Sequence, residues 1–178
     1  EVIAGEKTSE ETIATVVKLA KRLGKTPIRV SESAGFLVNR ILLPYLNESA
    51  KMFEEGEEIE RIDRLLKEFG MPMGPFTLAD EGGIDLGEQV STILHEAYGE
   101  RMTPSTVLSQ MTANAWLGKK TGQGFYLHKG KSKTLNKSIG LIQSGIEKLD
   151  DDLILDRAIL IMLNEAARCL EENVVDNA

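Results

Sequence analysis

Two neighbouring polar residues, Asn39 and Arg40, stand where a site could be built, at the start of a long apolar run. The stretch from Gly35 to Glu55, GFLVNRILLPYLNESAKMFEE, carries Val38, Ile41, Leu42, Tyr45, Leu46, Met52 and Phe53 at spacings of three and four. That pattern lays one apolar stripe along a helix. Asn39 and Arg40 fall at its N-terminal end, where backbone N–H groups lack partners. An amide there can serve a ligand or tie up the backbone, and the pattern leaves both readings open. Other chemistry-bearing types are scattered. His95 and His128 lie far apart with no Cys or Asp cluster near either, so no metal site is expected. In KKTGQGFY, Lys119 to Tyr126, a lone G-x-G lacks the preceding strand and following helix of a phosphate loop, and a structural turn is the expectation.

The elements that must position Asn39 read as follows. Pro44, inside the run, is expected to kink the helix. Before it, Glu1 to Ala4 reads as the end of a strand. A helix follows with Ile13, Val16, Val17, Ala20 and Leu23 on one face, opened by Thr8 or Ser9 and closed by Gly24. TPIRV, Thr26 to Val30, reads as an edge strand because of Pro27. Residues 1–31 are thus strand, helix, strand, a fragment of an α/β unit. From Gly35 the pattern is all helix. One helix carries Ile59 to Phe69, and MPMGPF, Met71 to Phe76, is a stiff corner. A short helix is expected from Phe76 to Glu81, then one through Leu86 to Ala97, and one after Ser105 through Ala115. Residues 129–151 read as a linker holding a poor helix from Ile139 to Leu149. Residues 152–173 read as a strong helix with Leu155, Ile159, Met162, Leu163, Ala166 and Leu170 on its apolar face.

The last helix repeats the first long one. Shifted by 117 residues, RILLPYLNESAKMFEE (40–55) overlies RAILIMLNEAARCLEE (157–172) with eight of sixteen positions identical. Random pairing gives roughly one. Asn39 has no counterpart, since Asp156 stands there. The pattern is one helical repeat plus the first helix of a second.

Bulk properties narrow the function classes. The chain has 178 residues, a net charge of −7 and 42% apolar residues, as in an ordinary globular protein. Without a basic patch, nucleic acid is an unexpected partner. No apolar run reaches the roughly 20 residues of a membrane span, and a signal peptide is not expected from these residues. The single Cys169 gives no disulfide framework and fits a reducing compartment, so a cytoplasmic location is expected. Glu1 opens on an apolar run and the chain stops just after a helix, which reads as a piece of a longer protein.

Three motifs in order and spacing, GFLVNRILLPYLNES, MPMGPFTLADEGGID and KKTGQGFY, resemble the 3-hydroxyacyl-CoA dehydrogenase family over nearly the whole chain. The duplicated helix resembles the multifunctional fatty-acid oxidation enzymes of that family, which add an enoyl-CoA hydratase domain. The resemblance implies a mainly α fold. Residues 1–31 would be the edge of a Rossmann-type NAD-binding domain, 32–128 the first helical C-terminal domain, 129–151 a linker, and 152–178 the start of a truncated second repeat. It also implies NAD as cofactor, an acyl-CoA substrate, homo-oligomers formed through helices and a thiolase subunit as partner. In the family a His takes the proton of the 3-hydroxyl, a Glu orients that His, and an Asn assists. Glu1 and Asn39 match the Glu and the Asn. The His and the glycine-rich cofactor loop would precede residue 1, so this chain alone is expected to be inactive. Pro72, Met73, Gly74 and Phe76 match a corner near the acyl-CoA cleft. Ala34 stands where the family has Pro, which loosens the expected placement of Asn39. A rival reading from the residues alone is a non-catalytic helical module for dimerisation or docking.

Overall fold

The computed structural model describes residues 1–176. The chain opens with β1 (Val2–Ala4), α1 (Glu10–Arg22) and β2 (Arg29–Ser31), and the two strands pair in parallel with Ile3 opposite Val30. A parallel pair needs a crossover, and α1 supplies it. Ser9 caps α1 by accepting the Thr12 N–H at 3.2 Å, with Glu10 and Glu11 in the first turn and Lys21 and Arg22 in the last. The second strand starts later than the composition of TPIRV implies, after Pro27, which has no N–H for a ladder. Of the expected apolar face of α1 only Ile13 is buried, while Val16 and Leu23 are exposed.

The helical body is built on α2 (Val38–Glu55), which remains one continuous element through Pro44. Around it lie α3 (Ile59–Phe69), α4 (Pro75–Gly82), α5 (Ile84–Tyr98) and α6 (Val107–Ala113). Met52 and Phe53 of α2 meet Ile62 and Leu66 of α3, Phe76 of α4 and Met111 of α6 in one core. Phe76 joins Phe53 edge-on, with centroids 6.3 Å apart, to Phe125 at 4.7 Å. The chain is mainly helical, as expected. No helix among the described residues is long and apolar enough to cross a membrane.

The segment from Lys129 is not a bare linker. β3 (Tyr126–Lys129) and β4 (Ser132–Leu135) form an antiparallel hairpin. Gly130 at φ 61° makes the two-residue turn possible. The polar strand SKTL hid this pairing, because its stabilisation comes from partners such as Lys133, whose ammonium lies 4.0 Å from the Tyr126 ring centre. The expected helix from Ile139 to Leu149 is only a 3₁₀ turn, Lys137–Leu141. The chain after it is held by the end of α2 instead. Gln143 donates to the Phe53 and Glu57 carbonyls, and the Gly145 N–H donates to Glu54 O. These bonds satisfy carbonyls that a helix end leaves free.

The last helix, α7 (Asp151–Glu171), packs along α2. Of the expected face, Leu155, Ile159 and Met162 pack half-buried against the core. The fully buried residues are Ile154, Ala158, Glu165 and Cys169, and Leu163 is 59% exposed, so the buried face is turned part-way from the expected one. The cause is a charged contact that periodicity cannot register. Arg40 of α2 reaches Glu165 (3.4 Å) and Glu172 (2.8 Å), while Arg157 of α7 reaches Glu48 (2.6 Å) and Glu55. In the 117-residue repeat Arg40 corresponds to Arg157, Glu48 to Glu165 and Glu55 to Glu172. Each helix therefore makes to the other the contact it receives, the arrangement of an isologous interface inside one chain.

Candidate functional site

The N-terminus of α2 is closed by a residue from the other end of the fold. Leu37, at the cap position, has no side chain for capping. The Glu1 carboxylate, placed by β1, accepts the N–H of Leu37 at 2.8 Å and of Val38 at 3.1 Å. A carboxylate on free helix N–H groups is favourable both as a hydrogen-bond acceptor and toward the helix dipole. Asn39, one residue further on, is half-buried. Its amide makes no hydrogen bond to the described residues, so the capping role left open by the pattern belongs to Glu1.

Asn39 instead borders a cavity of about 150 Å³ between α2, α4, α5 and α6. Of the seventeen residues around it, Asn39 alone has a polar side chain. Ala50, Phe76, Ile84, Leu108 and Phe125 form its buried wall. Arg40 points the other way. It is fully buried, with its guanidinium 4.3 Å from the Tyr98 ring centre, and belongs to the contact with α7. A concave apolar space with one polar group at its edge is the usual form of a small-molecule site.

Two buried carboxylates hold the aromatic wall. Asp63 accepts the N–H of Phe76 (2.8 Å) and Thr77 (3.2 Å) and the Tyr126 hydroxyl (2.8 Å), which caps α4. Asp80 accepts the N–H of Phe125 (2.8 Å) and Tyr126 (2.9 Å) and lies 2.8 Å from His128 Nε2. Burial pushes the Asp80 carboxyl above its ordinary value, and the bonds from His128 and the backbone oppose this. His128 is thus committed to holding the hairpin on α4. The G-x-G of KKTGQGFY has a spatial reason: a Cβ on Gly124 would overlap the Asp80 carboxylate, and one on Gly118 would overlap the Asp80 backbone. The structural turn expected there is thus one of close approach, which the sequence did not indicate.

Of the four corner residues matched to substrate contact, only Phe76 borders the cavity; Pro72, Met73 and Gly74 do not. Gly74 presses on Asp63, where a Cβ would overlap the carboxylate. The pattern missed Pro75, Gly83, Gly87 and Val90, which do border it. Glycines facing an empty space leave no periodic trace, so only the three-dimensional packing reveals them. The residues present do not fit a dinucleotide phosphate cradle. The turn from β1 into α1 has a single glycine, Gly5, and α1 begins with Glu10 and Glu11, which repel phosphate.

Residues 35–128 match the C-terminal domain of 3-hydroxyacyl-CoA dehydrogenase, and residues 1–33 match the NAD-binding domain of the same family. A Vibrio campbellii protein called fatty acid oxidation complex subunit alpha is 49% identical over 177 residues, 98% of this chain and 25% of that protein. The chain therefore spans a quarter of that curated relative. Among solved structures, the dehydrogenase part of multifunctional enzyme 1 from C. elegans is similar at a TM-score of 0.70 and 31% identity, covering 98% of this chain and 41% of the other. The (S)-3-hydroxybutyryl-CoA dehydrogenase PaaH1 of Ralstonia eutropha reaches a TM-score of 0.67 at 40% identity over 71% of this chain and 46% of its own. The motifs, the helical fold and these matches agree: the chain belongs to the 3-hydroxyacyl-CoA dehydrogenase family, whose cofactor is NAD.

Proposed function

We propose that this chain supplies the substrate-facing helical part of an NAD-dependent 3-hydroxyacyl-CoA dehydrogenase of fatty-acid oxidation. The reaction oxidises the 3-hydroxyl of an acyl-CoA to a 3-oxo group. NAD, held by residues outside this chain, takes the hydride from C3, and the hydroxyl proton goes to an imidazole also outside it. The observation that carries the reading is the apolar cavity with Asn39 as the only polar side chain on its border, beside the helix end that Glu1 closes. Asn39 is the positioning donor for a substrate oxygen at the cavity's edge. Glu1 serves both the end of α2 and the absent imidazole, to which its second oxygen is available. On this reading residues 1–31 are the edge of the cofactor domain, 32–128 the first helical domain and 152–178 the opening of a second. The name of the Vibrio relative, a subunit of a fatty acid oxidation complex, supports a place in fatty-acid oxidation within a larger assembly, and this reading adds hydratase activity, a thiolase partner and a cytoplasmic location.

The test uses the longer protein that contains this chain, with 3-hydroxybutyryl-CoA and NAD. NADH absorbance should rise with the longer protein and stay flat with residues 1–178 alone. No NADH from the longer protein would overturn the assignment, and NADH from the short chain would overturn the claim that the base lies outside it.

A further inference from the structure

We infer that the cavity beside Asn39 receives the acyl tail and that Gly87 sets how much of the tail it takes. The inference rests on the proposed dehydrogenase reading and adds a chain-length determinant to it.

The cavity's chemistry selects its occupant. Its walls are aliphatic and aromatic, and the polar end of the substrate has one group to meet, the Asn39 amide. A dry cavity of about 150 Å³ walled in this way accommodates a six-carbon body. The reacting carbons held at Asn39 would thus be followed by roughly six methylenes of tail.

The cavity has a direction. Asn39, Leu43, Leu46 and Ala50 follow one another along α2, about 16 Å at 1.5 Å per residue. Helix α5 runs beside them: Leu94 shares a buried cluster with Leu43, Leu46 and Val90 both pack against that cluster, and a Cβ on Gly35, before the start of α2, would meet Leu94. Gly87 is one turn of α5 before Val90 and so lies further from Asn39. The buried Leu108 is its neighbour there.

Nothing in the backbone demands glycine at this position. Gly87 lies within α5 and is absent from the positive-φ residues. A Cβ built on it would meet only Leu108 Cδ1 at 3.5 Å, an ordinary contact. Alanine is the better helix former. What a side chain at residue 87 would take away is space in the cavity.

The consequence is a dependence on chain length. Burial of each methylene is worth about fourfold in binding, so kcat/KM should climb from the four-carbon substrate and level off near a ten-carbon one. In the longer protein, kcat/KM is measured for 3-hydroxybutyryl-, 3-hydroxyoctanoyl-, 3-hydroxydecanoyl- and 3-hydroxyhexadecanoyl-CoA, in the wild type, Gly87→Ala and Gly87→Leu. The ten-carbon to four-carbon ratio should fall about fourfold in Gly87→Ala and tenfold or more in Gly87→Leu. Thermal melting of each variant shows whether it is folded, and Gly87→Ala carries the test if the larger substitution fails. An unchanged ratio in a folded variant overturns the role of Gly87 and leaves the dehydrogenase reading intact. A wild-type protein that oxidises none of the four substrates overturns both.

Discussion

At the scale of single residues, Asn39 and Arg40 separate sharply although they are adjacent and both polar. Arg40 is spent on α7, while the Asn39 amide is left at the edge of the cavity without a partner among the described residues. Truncating Asn39 should therefore touch function and spare stability. In the longer protein Asn39→Ala is expected to lower kcat tenfold or more, equivalent to about 1.4 kcal/mol of transition-state stabilisation, with the melting temperature unchanged. Equal losses of rate and melting temperature would make Asn39 a structural residue. The sequence alone marks Asn39 as a candidate but leaves the capping role open, because a helix N-terminus needs an acceptor and Asn is a good one. That the acceptor is Glu1, 36 residues earlier, is a tertiary fact. Gly87 was illegible for the same reason, since a missing side chain signifies only in relation to what surrounds it.

At the scale of elements, the helices were readable because their burial follows a period of 3.6, and Ile59–Phe69 matches its expected bounds. The hairpin strand β4 was not, and the orientation of α7 was so only in part, through Leu155, Ile159 and Met162, because polar partners turn it toward Glu165. The pairing of α2 with α7 makes a graded prediction. Arg40 is fully buried, and its loss removes one of three arginines around the 4% exposed Glu165, which keeps Arg101 (3.4 Å) and Arg168 (3.3 Å). Arg40→Ala should destabilise the chain by about 3 kcal/mol in urea titrations, the low end for a broken buried pair, because those two arginines remain. Arg157 is partly exposed, so Arg157→Ala should cost less, about 1–2 kcal/mol after allowing for solvent screening. Arg157→Ala should also differ from wild type in pH response. The hydrogen bond from Arg157, chiefly, holds the Glu55 carboxyl below its ordinary value of 4.5, against the effect of burial. A carboxyl depressed in the folded state stabilises fully above the unfolded value and loses that contribution as pH falls through the folded one. The gap in stability between wild type and Arg157→Ala should therefore be widest above about pH 4.5 and narrow below it. A gap that grows on acidification would show that the pairing is not what Arg157 contributes.

At the scale of the whole molecule, the internal repeat explains which surfaces are left uncovered. Leu43, Leu46 and Phe53 of α2 turn toward the core that α3 to α6 complete. Their counterparts on α7, Leu160, Leu163 and Leu170, are 50%, 59% and 38% exposed. Leu153 lies on the same helix and is 42% exposed. The two helices thus share one face with each other, and only α2 has its second face covered among the described residues. Contiguous large apolar side chains on one helix form a surface that water disfavours and a second copy of the chain can cover. Residues 1–178 expressed alone should therefore associate as concentration rises, as read by light scattering across a dilution series. The double variant Leu160→Glu and Leu163→Glu should stay monomeric. Because both side chains face solvent, its melting temperature at low concentration should match the wild type. If the variant associates as the parent does, the contact lies elsewhere, and the exposed face of α1, with Val16, Leu19 and Leu23, becomes the surface to change next. A wild-type chain that remains monomeric at high concentration would overturn the pairing of this face and leave its leucines as solvent-facing residues of a monomer.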